Sequence, residues 1–84
     1  MTTKDEIYKH LIKVAAEVFS VSPSEISINT KAGALEQWDS FGHLMLFMAL
    51  EEKLGVKFKT EEIVRLSSIG EIAESVLEKQ KVSM

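Results

Sequence analysis

The sequence predicts an all-α protein: a small four-helix bundle of three longer helices and one short helix, with a long loop between the first two helices. Apolar residues recur at helical spacing in four segments, and capping residues precede them. Alternation of apolar and polar residues, the pattern of a half-buried strand, reaches only two apolar positions at Ile26–Ile28 and at Val56–Phe58. These runs are too short to establish a sheet, so helices must supply the core.

Length and composition indicate a single domain, residues 1–84, because 84 residues with 45% hydrophobic side chains can bury one core. The chain has no cysteine, which excludes disulfides, thiolate metal sites and a thiol nucleophile. A net charge of −3 without clustered Lys or Arg argues against a nucleic-acid partner. The sequence also lacks a signal-peptide pattern and an apolar run of membrane-spanning length, so we expect a cytoplasmic protein without membrane insertion.

The first helix is expected to begin near Lys4, where Thr3 and Glu6 form the pattern of a capping box. Its inward face combines apolar residues at helical spacing: Ile7, Tyr8, Leu11, Ile12, Val14, Ala15, Val18 and Phe19. Pro23 and the serines around it end this helix. Apolar side chains are expected to anchor the connection that follows to the core: Ile26, Ile28, Ala34, Leu35 and Trp38.

The second helix contains the most informative part of the chain. Asp39 is a suitable N-cap, because its carboxylate accepts a backbone N–H of the first turn and suits the positive end of the helix dipole. Ser40 is then the first helical residue, with its hydroxyl directed to water. The helix runs to Leu54, and Gly55 supplies the left-handed residue that commonly follows a helix.

This second helix is apolar on two faces, although a small domain needs only one for its core. The inner stripe consists of Leu46, Phe47, Leu50 and Leu54. The outer stripe consists of Phe41, Leu44, Met45 and Met48. The outer stripe is either buried because the helix is central, or exposed beside Ser40 as a docking surface, for which adaptable methionines are well suited.

Two further helices complete the predicted bundle. Thr60, followed by two glutamates, indicates the start of a short third helix. Ser68 and Glu71 form a capping box for the last helix. The inward residues of that last helix are Ile69, Ile72, Ala73, Val76 and Leu77.

Asp39, Ser40 and His43 are the residue types of a hydrolase triad, but their arrangement does not suit one. An aspartate that caps a helix is occupied by backbone donors and cannot also hold the far nitrogen of the histidine. We therefore predict that the chain is not an enzyme and has no catalytic residues. The two histidines, His10 and His43, show no paired ligand spacing, so we also predict no metal site.

The run Asp39–Phe41, the apolar helix after it and the run Ala49–Val56 resemble the acyl carrier protein family, and the resemblance covers nearly the whole chain. In that family the serine of an Asp-Ser-Leu motif receives 4′-phosphopantetheine from coenzyme A, through a phosphopantetheinyl transferase. The resemblance implies that Ser40 is the attachment site and that Asp39 belongs to the same cofactor-binding motif. It also implies that the thiol of the arm carries an acyl group as a thioester.

The resemblance further implies a monomer whose partners, besides the transferase, are acyl-transferring or acyl-activating enzymes of fatty acid, polyketide or other specialised biosynthesis. Family members commonly have acids at the positions of Gly42 and Met45, where they dock on basic patches. Because these acids are absent here, we expect partners to bind the outer stripe, with Glu51 and Glu52 as the remaining acids.

Two alternatives remain beside this interpretation. The chain is either an aminoacyl or peptidyl carrier, or a helical interaction module that is related to carriers but lacks the arm. Six apolar residues match positions that line the family's core and, in some members, shelter an acyl chain: Leu46, Phe47, Phe58, Ile63, Leu66 and Ile69. We interpret them as ordinary core packing, with shelter for a chain as the alternative.

Overall fold

The computed structural model describes residues 4–82, with side chains through residue 80, and confirms the predicted helical bundle. The helices are α1 (Lys4–Phe19), α2 (Ser40–Leu54), α3 (Thr60–Arg65) and α4 (Ile69–Val82). Within these residues there is no strand, and an isolated bridge joins Lys31 to Ser68. Thr3, half of the predicted capping box of α1, lies outside the described residues.

α1 packs against both α2 and α4, while α3 packs against α2. The inner stripe of α2 is buried apart from the half-buried Leu54, and the expected inward residues of α1 and α4 are buried or half-buried. The core also contains Ala16, which the prediction did not include. The large side chains at its centre are Leu11, Val14, Trp38, Leu46, Phe47, Leu50, Ile69, Ile72 and Val76.

α1 ends at Phe19, four residues before Pro23, and is followed by a left-handed turn. Ser20 has a φ of 57°, and the Val21 N–H donates to the Ala16 carbonyl at 3.0 Å. This bond belongs to the Schellman arrangement, which satisfies carbonyls at a helix end. The proline therefore opens the next element, a short 3-10 helix at Pro23–Glu25.

Sequence analysis missed this 3-10 helix, although its signal is present. Ser22 caps it, since the Ser24 N–H donates to the Ser22 hydroxyl at 3.3 Å and the Ser22 N–H donates to the Glu25 carboxylate at 3.0 Å. A serine three residues before a glutamate, with proline in the first helical position, is the pattern of a capping box.

Backbone hydrogen bonds fasten the long connection to the start of α4. The Ile69 N–H donates to the Thr30 carbonyl at 3.0 Å, and the Gly70 N–H donates to the Ile28 carbonyl at 2.9 Å. N–H groups in the first turn of a helix have no partner within that helix, so the connection supplies acceptors that α4 needs. The connection is therefore an ordered part of the bundle.

Of the side chains expected to anchor this connection, three do so and two do not. Ile26 and Trp38 are buried, and Leu35 is half-buried. The predictions for Ile28 and Ala34 were wrong, because both side chains are exposed. The carbonyl of Ile28, and not its side chain, makes the attachment, while Ala34 lies in a turn closed by its N–H and the Lys31 carbonyl.

The short helix α3 is held by contacts of Glu62. Its carboxylate accepts from the Lys59 N–H at 2.8 Å and from the Lys79 ammonium of α4 at 2.9 Å. The Lys59 N–H, and after it Lys79, lower the pKa of Glu62 below its ordinary value of 4.5. The stability that these contacts contribute is thus present above about pH 4.5 and is lost as the pH falls through the lowered pKa of the folded state.

Across residues 4–82, every helix is too short or too polar to traverse a bilayer.

The Ser68 cap offers a direct test of how α4 begins. The Glu71 N–H donates to the Ser68 hydroxyl at 3.2 Å, as predicted, so Ser68→Ala should lower the free energy of unfolding by about 1 kcal/mol. Chemical denaturation measures this loss. Ser67→Ala is the control and should lose less, because the Ser67 hydroxyl donates to Glu71 but does not cap a backbone N–H. An unchanged midpoint for Ser68→Ala would contradict the cap.

Candidate functional site

α2 begins at the predicted residue and presents Ser40 to solvent. Asp39 is the N-cap, and its Oδ1 accepts the Gly42 N–H at 2.8 Å. Ser40 is the first helical residue and is exposed. Its hydroxyl makes no hydrogen bond to any residue that the structure describes. At the other end Gly55 has a φ of 67° and closes the helix as predicted. The serine therefore lies at the tip of a well-defined helix.

His43 does not pair with Ser40, because both of its ring nitrogens have other partners. The Trp38 indole N–H donates to Nδ1 at 2.9 Å, and Nε2 lies 2.6 Å from the Ile63 carbonyl of α3. An indole nitrogen can only donate, so Nδ1 carries no proton, and Nε2 carries it and donates to the carbonyl. The three residues of the hypothetical triad are thus not assembled into one.

These two bonds form a bridge that joins three parts of the fold. Trp38 ends the long connection, His43 lies in the first turns of α2, and Ile63 lies in α3. We call the arrangement Trp38–His43–Ile63 the imidazole bridge. Sequence analysis did not find it, because its partners come from separate segments and no local pattern links them.

A series of aromatic contacts continues from the imidazole bridge into the core. The ring centroids of Trp38 and His43 are 6.1 Å apart, those of His43 and Phe47 4.9 Å, and those of Phe47 and Phe58 4.8 Å. Phe19 stacks on the other side of Trp38 at 5.5 Å. These rings come from α1, the connection, α2 and the segment before α3, and each packs against the next.

Gly42 is buried, so the expectation that it belongs to the partner-facing side was wrong. A Cβ on this residue would lie 2.1 Å from the Gln37 carbonyl oxygen and 3.2 Å from the Phe19 ring. The connection and α2 approach each other too closely here for any side chain. A glycine in the first turn of a helix is itself a signal for such an approach, since glycine disfavours helices by about 1 kcal/mol relative to alanine.

The outer stripe is exposed, which excludes the interpretation that it is buried because the helix is central. The exposed fraction is 71% for Phe41, 52% for Leu44, 43% for Met45 and 68% for Met48. None of the four contributes to the buried core. The stripe begins at the residue after Ser40, so an apolar surface adjoins the exposed hydroxyl.

Glu51, the acid expected to contact partners, makes a hydrogen bond within the protein. Its Oε2 accepts the Phe58 N–H at 2.8 Å, and the residue is half-buried. This bond fixes the extended segment between α2 and α3, where Val56 and Phe58 point into the core. Glu52, its neighbour, is exposed.

Comparisons with known proteins identify the family. The sequence matches no protein-family model. The acyl carrier protein of Campylobacter hominis is 33% identical over 67 residues, which cover 80% of this chain and 85% of that relative. The chain belongs to the acyl carrier protein family. The acyl carrier protein of Rhodococcus erythropolis is 29% identical, over 83% of this chain and 77% of its own. The acyl carrier protein of Cyanidium caldarium is 24% identical over 79 residues, which cover 94% of this chain and 92% of that relative.

Membership of this family makes the chain a carrier protein and not an enzyme, as the sequence predicted.

The position of Glu51 leads to a stability prediction. Glu51→Ala should lower the free energy of unfolding by about 1–2 kcal/mol, because it leaves the Phe58 N–H without its acceptor. Glu52→Ala is the matched control on the exposed side and should change the denaturation midpoint little. Equal losses for the two variants would show that the bond to Phe58 does not stabilise the fold.

Proposed function

We propose that this carrier holds an acyl group as a thioester on a 4′-phosphopantetheine arm attached to the Ser40 hydroxyl. The observation that supports this most directly is the position of Ser40: exposed, without a hydrogen-bond partner among the described residues, and directly after the capping Asp39. Because the chain contains no cysteine, a thiol has to come from the arm. Membership of the acyl carrier protein family supports the same assignment.

The residues around Ser40 fit a phosphodiester. N–H groups at a helix start and the helix dipole favour an anion, and Ser40 is the first residue of a helix of 15 residues. Asp39 is the acid directly before Ser40, and its Oδ1 accepts a hydrogen bond from the Gly42 N–H. The arm supplies a mobile thiol, whereas the chain supplies a fixed and accessible attachment point.

We also propose that the transferase and the acyl-transferring or acyl-activating enzymes dock on the outer stripe. It adjoins Ser40 and lies on the same helix, so a partner seated there would reach the arm. The stripe itself is apolar and Glu51 is bound to the Phe58 N–H, so we expect apolar contact to supply most of the affinity, with the exposed Glu52 as a remaining acid. Apolar burial depends little on salt, so we expect binding that is only mildly sensitive to ionic strength.

We further propose that the carrier acts as a cytoplasmic monomer in fatty acid, polyketide or other specialised biosynthesis. The family relation favours acyl cargo over aminoacyl or peptidyl cargo, since the relatives are named acyl carrier proteins.

The attachment site is tested by intact mass after incubation with coenzyme A and a broad-specificity transferase. Wild type should gain one phosphopantetheine and Ser40→Ala none. Ser24→Ala, in the exposed 3-10 helix, is the control and should react as wild type does. Modification of Ser40→Ala would refute the assignment, and an unreactive wild type would favour the interaction module without an arm.

The docking surface is tested with Met48→Ala. Losing about 1 kcal/mol of apolar contact corresponds to a roughly fivefold rise in the transferase KM. Because Met48 is exposed, the melting temperature should stay within about 4 °C of wild type. Val64→Ala is the control, since Val64 is 78% exposed but lies on α3, outside the outer stripe. A lower melting temperature with an unchanged KM would assign Met48 to the core instead.

A further inference from the structure

The packing of the bundle interior determines where an apolar acyl chain on the proposed arm lies between reactions. Burial of methylene groups is favourable, so a chain tethered at Ser40 enters the apolar core unless the nearby entrances are closed. A chain could approach the core beside Ser40 along two routes, one between α2 and α3 and the other between α2 and the connection before it.

His43 closes the entrance between α2 and α3. It lies one turn after Ser40, and its ring spans from the Trp38 indole to the Ile63 carbonyl. A chain entering here would have to displace the ring and separate both hydrogen bonds. The Trp38 N–H and the Ile63 carbonyl would then lack partners beside apolar groups, which is costly.

The space behind His43 is also occupied. Phe47 and Phe58 follow the imidazole in edge-on contact, with centroids 4.9 Å and 4.8 Å apart. Both residues are buried, with 1% and 9% of their surface exposed. A chain would therefore have to displace these rings as well.

The entrance on the other side of α2 is closed by the backbone. At Gly42 the helix approaches the Gln37 carbonyl so closely that even a Cβ would lie 2.1 Å from its oxygen. Phe19 and Trp38 stack directly beside this contact. A surface groove of about 1180 Å³ lies elsewhere, along α3, α4 and the end of α2, and includes no residue from 38 to 48.

We infer that His43 is a specificity-determining residue of this carrier, which keeps the acyl chain out of the bundle and leaves it accessible at the surface. The inference rests on the proposed function, because it presupposes an arm on Ser40. It assigns the imidazole bridge a role in cargo placement: the chain lies outside the core whatever its length.

The test compares acyl chains of increasing length on the same protein. A broad-specificity transferase loads Ser40 from acetyl-, butyryl-, octanoyl- or decanoyl-coenzyme A, and intact mass verifies each product. The thermal midpoint of wild type should vary by less than about 1 °C across the series, whereas burial of only two methylenes would raise it by about 6–13 °C. The indole N–H signal of Trp38, the single tryptophan, should likewise be the same in all four forms.

His43→Ala removes the ring and both hydrogen bonds, so the thermal midpoint of its acetyl form should be lower than that of acetylated wild type. The midpoint of the variant should then rise with chain length, because the chain fills the vacated space. His10→Ala is the matched control, because His10 is an exposed histidine on α1, and it should behave as wild type does. If His43→Ala does not fold, His43→Gln serves instead. Its amide can donate to the Ile63 carbonyl or accept from the Trp38 N–H, and it leaves less space than alanine does, so its midpoint should rise less steeply with chain length than that of His43→Ala.

The outcomes separate this inference from the proposed function. A wild type that accepts no arm overturns the proposed function and this inference with it. A loaded wild type whose midpoint rises with chain length, with a displaced Trp38 signal, overturns this inference alone. Length-independent midpoints in both wild type and the His43 variant would show that the core is closed without His43, which also overturns it.

Discussion

The neutral imidazole of His43 is the interaction on which the arrangement around the serine depends. Trp38 is almost fully buried, and its indole N–H needs an acceptor, which Nδ1 provides. The proton on Nε2 then binds the Ile63 carbonyl and holds α3, a helix of six residues that is too short to be stable by itself. One side chain thus fixes the end of the connection, the start of α2 and the position of α3.

α2 combines two tasks that small domains often divide between elements. Its inner stripe supplies buried side chains to the core, while its outer stripe remains exposed beside Ser40. Because both stripes belong to one helix, anything that fixes the core also fixes the serine and the surface next to it. The close approach at Gly42 strengthens this coupling, since it allows the connection to pack directly on the first turn of α2. The arm proposed on Ser40 would be mobile, so it would need such a fixed attachment point.

The parts of the fold that sequence analysis predicted are those with local causes. Asp39 and Gly55 mark the ends of α2 through groups within a few residues of each other, and these ends were correct. What the sequence did not predict are contacts between distant segments: the Ile28 carbonyl meets α4, Glu51 meets the Phe58 N–H, and His43 meets Ile63. Periodicity predicts the face of a helix on which a side chain lies, but it does not predict which backbone group of a distant segment that side chain contacts. The sequence could not predict whether the outer stripe is exposed, because its pattern of apolar residues fits burial equally well.

The central claim is that Ser40 carries acyl groups through an arm and not directly. The most direct measurement is tandem mass spectrometry of the Ser40 peptide from protein isolated from its own cells, before and after treatment with neutral hydroxylamine, which cleaves thioesters. The account predicts that the treatment removes an acyl group and leaves phosphopantetheine on Ser40. A Ser40 without phosphopantetheine, or an acyl group bound to the serine oxygen itself, would contradict it.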